Sequence, residues 1–190
     1  ADWPPPRRLE VDRLKAAGLR VVQAQRATLV TDLSVSDEID GLPGLIDSAV
    51  PIWAERFETR VPDGWRLRVY LIEDEARFRS LGLWPEKSPD FPHGLSLGYE
   101  VWLREQAIDY YRRHLLLHEG THSFMSTRLG SCGPGWYMEG IAELCGTHAL
   151  EGERLRLAVM PASSEAAPDW GRVRLIRDAI AAGRRLSIDA

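Results

Sequence analysis

The chain has 190 residues, of which 44% are hydrophobic and 27% are charged, and its formal net charge is −4. This length accommodates one domain with a sizeable core, and the composition is ordinary for a globular protein. The negative net charge and the absence of a run of Lys or Arg argue against a nucleic-acid partner. No stretch reaches the roughly 18 apolar residues that a membrane-spanning helix needs.

The first 81 residues predict alternating helices and strands. Gly18 is expected to end the first helix, because glycine readily adopts the conformation that terminates helices. Ser36 or Asp37 is expected to cap the second helix, which continues through an irregularity at Pro51. In chain order, we predict a helix over 9–18, one or two strands over 19–33, a helix from the cap to about residue 59, a strand over 65–72 and a short helix over 74–81.

The remaining residues predict one strand followed mainly by helices. In chain order, we predict a Pro- and Gly-rich loop over 82–94, a strand over 95–103, a helix over 107–129 that Gly130 ends, a tight loop over 131–135, a helix over 136–149, a strand over 153–160, a linker over 161–168 and a helix near 170–183. This order predicts an α+β fold, with a small mixed sheet backed by helices.

We expect a single catalytic domain over residues 1–190. Residues 1–18 would supply a leader and a short helix, and residues 150–190 a C-terminal extension of a chain that continues in the full protein. No secretory signal is present, so the protein is either cytosolic or has lost a signal peptide. The extended opening segment 1–8 (ADWPPPRR) favours a secreted or periplasmic protein. The sequence leaves the oligomeric state open.

The two cysteines, Cys132 and Cys145, allow two interpretations. Their even number and short separation permit a disulfide, but two small buried thiols fit equally well. No Cys-x-x-Cys pair occurs in the sequence, which argues against a thiolate zinc site or a redox dithiol.

The segment 118–122 (HEGTH) carries the most chemical information. On a helix, residues four apart lie on one face, so the imidazoles of His118 and His122 can reach one ion. Zinc suits them, because neutral imidazole nitrogen is a good zinc ligand. Glu119 projects beside the metal, where it can accept a proton from water and deliver it to a leaving amine. The alternative is a buried helix whose two histidines find other hydrogen-bond partners.

The next predicted helix contains the segment 136–143 (WYMEGIAE). This segment resembles the Trp-x-x-Glu-Gly-x-Ala-Glu segment of the peptidase MA-like superfamily. With the HEGTH segment, it makes residues 107–146 resemble the gluzincins, metallopeptidases that take two His ligands from one helix and a Glu ligand from the next. The resemblance implies a zincin-like minimal domain, Zn²⁺ as the cofactor and Glu139 as the third metal ligand.

The short loop before this helix would let it fold back across the HEGTH helix. Gly140 and Ala142 are small, and we expect them to let the two helices approach closely enough for Glu139 to reach the zinc. Glu143 is the rival ligand, one turn further along the same face. We expect Glu143 instead to accept a hydrogen bond from the outer ring nitrogen of a ligating histidine, His118.

The resemblance implies a zinc metallopeptidase that acts on a peptide or protein substrate through a zinc-activated water, with Glu119 as general base. One departure from the gluzincins concerns the oxyanion: no Tyr follows Glu139, and the only later histidine, His148, is expected to face away from the metal. Two alternatives stay open. The first is a non-catalytic zinc-binding or partner-binding module of the same fold, and the second is a metallohydrolase acting on a non-peptide bond.

Three further features of the sequence carry expectations. His114, one turn before His118, is expected to be an ordinary helix histidine. His93 is expected to be a loop histidine, and the alternative is that it approaches the cleft and helps to polarise a carbonyl group. Residues 95–102 are expected to bind substrate as an added antiparallel strand. In that arrangement, Gly98 would let a second backbone come close, whereas the alternative is an interior strand with a bulge at Gly98.

Overall fold

The structure is a computed structural model that describes residues 3–85, 90–152, 154–161 and 179–184. The chain divides into two compact units, Ala1–Met160 and Pro161–Ala190. In the second unit, residues 179–181 are helical, whereas the predicted linker after residue 161 and residues 170–178 of the predicted last helix lie outside the described residues. Within the described ranges, no helix combines the length and the apolar character that crossing a bilayer requires.

The first unit contains six helices and seven strands in its described part. Ser36 caps the second helix as predicted, because its side chain accepts a hydrogen bond from the backbone N–H of Ile39. The helices are α1 (Val11–Ala16), α2 (Asp37–Asp40), α3 (Leu42–Arg56), α4 (Glu75–Ser80), α5 (Asp109–Arg128) and α6 (Gly135–Gly146). The strands are β1 (Arg20–Gln23), β2 (Ala27–Thr31), β3 (Leu67–Ile72), β4 (Gly94–Leu97), β5 (Glu100–Arg104), β6 (His148–Glu151) and β7 (Arg154–Leu157).

Five strands form a mixed sheet with the order β1-β2-β3-β5-β4. The central strand β3 runs parallel to both β2 and β5, and the outer strands β1 and β4 run antiparallel to their neighbours. Strands β6 and β7 pair in a separate two-stranded sheet. The predicted α+β fold with a small mixed sheet and helices is confirmed.

Alternate side chains of β3 enter two different hydrophobic cores, because successive residues of a strand point to opposite faces. Val69 and Leu71 pack with residues of α3 and α5 on one face. Tyr70 and Ile72 pack on the other face with Phe78 of α4. Helices therefore cover both faces of β3, which explains why this strand is apolar almost throughout. The packing fixes α5 against the sheet.

The predicted strand over 95–103 is two strands, β4 and β5, which pair antiparallel. The chain reverses at Gly98, whose φ of +59° falls in the left-handed region that favours glycine. A side chain at this position would also collide with Trp3, whose ring atom Cε3 would lie 2.7 Å from the added Cβ. Gly98 therefore marks a turn, and neither predicted role for it, in an edge strand or in a bulged interior strand, was right.

The predicted helix over 136–149 ends earlier, at Gly146, and β6 begins at His148. Thr147 is extended, with φ −70° and ψ 120°, and its side-chain hydroxyl donates to the carbonyl oxygen of Glu143 at 2.9 Å. Gly146 packs closely on His114, since a Cβ added there would lie 3.0 Å from the imidazole. Close packing between α5 and the end of α6, together with the pairing of β6 with β7, stops the helix.

Candidate metal centre

Helix α5 places His118 and His122 side by side, one turn apart. Their Nε2 atoms are 3.1 Å apart, and the ring planes are nearly perpendicular, at 78°. The side chains are largely buried, with only 12% and 10% of their surfaces exposed. Two imidazole nitrogens at this separation share either one proton or one cation, because two bare lone pairs would repel each other.

Helix α6 brings Glu139 to the same point. Its Oε2 atom lies 3.4 Å from Nε2 of His118 and 3.5 Å from Nε2 of His122. Zinc ligands bind at about 2.0–2.1 Å in a tetrahedral arrangement, which separates neighbouring ligand atoms by about 3.3 Å. The three measured separations, 3.1, 3.4 and 3.5 Å, therefore match one face of a zinc coordination tetrahedron. A zinc ion held by these three atoms would have its fourth ligand position facing away from them, open to water or substrate.

Close packing between α5 and α6 positions Glu139. Ala142 and Cys145 are fully buried, and Gly146 packs against His114. Gly140 does not contribute, since a Cβ added there would meet no atom within 4 Å. The expectation that Gly140 lets the helices approach is therefore wrong, although Ala142 lies in the buried part of α6 as expected. Small residues do face α5, but the glycine among them is Gly146.

Glu119 is nearly buried, with 8% of its surface exposed. Burial raises the pKa of its carboxyl group to about 7, and the nearby Glu139 raises it further, whereas His118 lowers it. Gly94, at the start of β4, lies directly against this side chain, because a Cβ added there would be 2.7 Å from Oε1 of Glu119. The carboxyl group therefore lies between the candidate ligands and the edge of the sheet, where its proton affinity suits acid–base chemistry near neutral pH.

The pKa of His122 is lowered by its burial and then by the neighbouring His118. A lowered pKa keeps the imidazole neutral at neutral pH, and the neutral form is the one that binds a metal. Its Nδ1 atom is buried, and no hydrogen bond reaches it from the described part of the chain. This ring therefore has little to hold it except its packing and the contacts of Nε2 with His118 and Glu139.

Glu143 lies behind His118 and away from the three candidate ligand atoms. Its Oε2 atom is 3.4 Å from Nδ1 of His118 and also 3.4 Å from Nε2 of His114. His114, His118 and Glu143 therefore form a second group of atoms within reach of one another. No carboxylate was predicted next to His114, although its spacing from His118 puts both rings on one helix face.

Besides His114, two further histidines, His148 and His93, lie outside the candidate ligand group. His148 is buried, with its ring stacked on Tyr110 at 4.6 Å between centroids, and its Nδ1 donates to the carbonyl oxygen of Gly146 at 2.9 Å. Its Nε2 accepts a hydrogen bond from Arg113 at 3.3 Å, so both ring nitrogens are engaged. His93 is exposed and directly precedes Gly94, the residue that touches Glu119.

Strand β4 is the edge of the sheet nearest the candidate metal centre. Strand β5 pairs with both β3 and β4, so it has no free edge for a substrate. The expectation of an added strand along 95–102 is therefore wrong for its second half. Strand β4 ends the sheet in the described part of the chain, and it contacts α5 through Gly94 and Glu119.

Both cysteines are free thiols. Cys145 is fully buried in the core that includes α5, whereas Cys132 is half-buried in the loop between α5 and α6. Burial raises the pKa of both thiols, which keeps them protonated at neutral pH. Of the two interpretations of the cysteine pair, the structure therefore contains the unpaired thiols.

The arrangement can bind one divalent cation and place a carboxyl group beside it. The ligand atoms come from two helices, and the carboxyl group of Glu119 lies between them and β4. No protein-family model, curated protein or solved structure matches the chain significantly. The function must therefore follow from the geometry of the site itself.

Proposed function

We propose that the chain is a zinc-dependent peptidase of zincin-like fold, in which His118, His122 and Glu139 bind Zn²⁺ and Glu119 is the general base. One observation carries the proposal: three nitrogen and oxygen atoms from α5 and α6 lie 3.1 to 3.5 Å apart, which matches a zinc coordination face. Two neutral imidazoles and one carboxylate with an open fourth position are the ligand set of many catalytic zinc sites. A purely structural site has no need of a nearly buried carboxyl group beside the ligands.

Glu119 would move the protons of the reaction. When bound, zinc would polarise a carbonyl group and acidify a water molecule. Glu119 would take one proton from the attacking water, whose oxygen forms a bond to the carbonyl carbon. The C–N bond then breaks, and Glu119 returns the proton to the leaving amine. Its pKa of about 7 suits both halves of this cycle, because the group can be deprotonated and reprotonated near neutral pH.

Strand β4 would bind the substrate backbone. An edge strand offers N–H and C=O groups that can pair with an extended peptide. Gly94 places the start of this strand against Glu119, so a peptide paired with β4 would pass close to the base. Trp136 lies one helical turn before Glu139 and is 71% exposed, and it offers an apolar surface for a substrate side chain. An extended peptide is therefore the substrate class that the surroundings of the site favour.

A non-catalytic zinc-binding module is the second candidate, and the position of His148 favours it. A hydrolase of this type needs a group that stabilises the oxyanion, and His148 is stacked on Tyr110 with both nitrogens engaged. The exposed His93, beside Gly94, is the remaining histidine with access to this region. Turnover distinguishes the two candidates, whereas zinc content does not.

Metal analysis and peptide digestion test the proposal together. The purified chain should contain about one zinc, Glu139→Ala should lose most of it, and Glu143→Ala should retain more. Loss of zinc in Glu143→Ala together with retention in Glu139→Ala would show that the ligand assignment is wrong.

Digestion of an unbiased peptide library, read by mass spectrometry with and without a chelator, then tests catalysis. The wild-type chain should cleave peptides only in the absence of chelator, and Glu119→Gln should keep its zinc but lose turnover. Substantial activity in Glu119→Gln would rule out the proposed base. A zinc-loaded wild type that cleaves no peptide would favour the binding module.

A further inference from the structure

We propose that His114 is a positioning residue that fixes Glu143 against His118 and thereby strengthens zinc binding at the candidate metal centre. The inference rests on the proposed function, because it assumes that His118 is a metal ligand. It extends the site by one residue that does not touch the metal. His114 would act through Glu143, and Glu143 through the outer nitrogen of His118.

One carboxylate oxygen connects the two histidines. Oε2 of Glu143 lies 3.4 Å from Nε2 of His114 and 3.4 Å from Nδ1 of His118. His114 and His118 are four residues apart on α5, so their rings lie on one face, with centroids 6.3 Å apart. Glu143 reaches this face from α6. The three side chains thus form a chain that begins at His114 and ends at a candidate zinc ligand.

The chemistry of His118 explains why this carboxylate matters. An imidazole that binds zinc through Nε2 carries its proton on Nδ1, and an acceptor for that proton fixes the tautomer and the ring orientation. Such an acceptor also makes the ring a stronger ligand. Glu143 is the carboxylate placed at Nδ1 of His118. Its effect depends on how firmly Oε2 is held there.

His114 is better fixed than Glu143. The His114 side chain is 18% exposed, whereas that of Glu143 is 38% exposed. Gly146 packs directly against the imidazole of His114. The contact is so close that a Cβ added at Gly146 would lie only 3.0 Å from Nε2 of His114. With its proton on Nε2, His114 can donate to Glu143 and hold a half-exposed carboxylate in place.

A second cation bound by His114, His118 and Glu143 is the competing interpretation of the same group. It would require His118 to lose its Nδ1 proton and to bridge two cations, because Nε2 already faces His122 and Glu139. Two divalent cations on one imidazole ring would repel each other strongly in this partly buried position. If Glu143 is instead a hydrogen-bonded carboxylate, His118 keeps its Nδ1 proton and binds one cation only. The geometry therefore favours a positioning role for His114 and Glu143 over a second cation site.

Zinc affinity of the full chain tests the inference by competition with a chelator of known affinity. His114→Leu removes the donor and should weaken zinc binding about 10-fold, whereas His114→Gln keeps a donor and should stay within about 3-fold of wild type. Glu143→Ala should weaken binding by about 10- to 100-fold. The double variant His114→Leu/Glu143→Ala should bind no more weakly than Glu143→Ala alone, because His114 acts only through Glu143.

His148→Gln is the matched control, because His148 is a buried histidine that also packs on Tyr110, and its two ring nitrogens are engaged by Gly146 and Arg113. Its zinc affinity should equal that of wild type, and melting of the zinc-free variants reports any general loss of stability. If His114→Leu does not fold, His114→Asn repeats the test with a polar side chain too short to reach Glu143.

Four results would overturn the inference. The first is a His114→Leu chain that binds zinc as tightly as wild type, and the second is a loss of zinc affinity in His148→Gln equal to that in His114→Leu. The third is a double variant whose loss of zinc affinity is the product of the two single losses. The fourth is a wild-type chain that binds two zinc ions when His114→Leu binds one. The last result would establish the second cation site instead. A wild-type chain that binds no zinc would overturn the proposed function as well, whereas a zinc-binding chain that is indifferent to His114 would leave it intact.

Discussion

Two glycines near the candidate ligands should respond in opposite ways to the same substitution. Gly120 lies on α5 between His118 and His122 and packs against α3. A Cβ added to it would lie 2.9 Å from Cη2 of Trp53 and 3.3 Å from Cδ1 of Ile46, and both of these side chains are fully buried. Gly140 lies on α6, where an added Cβ meets nothing within 4 Å.

The magnitudes follow from two effects of a methyl group. Replacing Gly by Ala in a helix stabilises the fold by about 1 kcal/mol. Overpacking a core costs about 1–3 kcal/mol, and the indole ring of Trp53 cannot move without disturbing its neighbours. Gly120→Ala should therefore lower the free energy of unfolding by about 1 kcal/mol, whereas Gly140→Ala should raise it by about 1 kcal/mol. The two variants should differ by about 2 kcal/mol.

Urea denaturation of the zinc-free chains, followed by circular dichroism, measures this difference. Removing zinc first ensures that a change in metal affinity does not enter the free energy of unfolding. The midpoint of Gly120→Ala should fall below that of wild type, and the midpoint of Gly140→Ala should rise above it. A Gly120→Ala chain as stable as Gly140→Ala would refute the close contact between α5 and Trp53.

Two further predictions concern Glu119 and His148. Gly94→Ala should push the Glu119 carboxylate aside and lower turnover about 100-fold, with little loss of zinc or stability. Ser96→Ala, in the same strand, should leave turnover unchanged. Equal turnover in the two variants would contradict the contact between Gly94 and Glu119. Burial lowers the pKa of His148 to about 4, below its unfolded value of about 6.5. The unfolded chain therefore gains the proton first on acidification, and His148 should cost about 2–3 kcal/mol of stability between about pH 7 and pH 4.5. The difference in free energy of unfolding between wild type and His148→Gln should therefore become smaller as the pH falls from about 7 to about 4.5. A difference that does not change with pH would refute the lowered pKa of His148.

Local sequence signals predicted most of the helices and strands. The errors lie where contacts between residues far apart in the sequence determine where an element begins or ends. The predicted helix 107–129 and strand 65–72 correspond to α5 and β3 within two residues, because periodicity and burial patterns are local. The hairpin of β4 and β5 was missed, because the sequence around Gly98 does not indicate that the Trp3 ring packs on this residue. The early end of α6 was missed because it depends on β6 pairing with β7.

The candidate site shows the same division. The spacing of His118 and His122 on one helix is a local property, and the sequence was sufficient to place the two rings together. Glu139 was expected at the metal through a resemblance and through the short loop that folds its helix back, and the structure brings its Oε2 to 3.4 and 3.5 Å from Nε2 of the two histidines. The contacts of Gly94 with Glu119 and of His114 with Glu143 join separate elements. Periodicity along one element contains no information about such pairs.

The exposure of the three candidate ligands is unequal, and this affects how a metal ion would enter and leave. The His118 and His122 side chains are 12% and 10% exposed, whereas that of Glu139 is 59% exposed. An incoming hydrated ion would meet the carboxylate first and exchange its remaining water for the imidazoles afterwards. A chelator would approach from the same side and displace Glu139 while both histidines still hold the ion. Zinc release should then proceed through a ternary complex in which the chain and the chelator both bind the ion. Its rate should rise with chelator concentration and should not depend on unfolding of the chain.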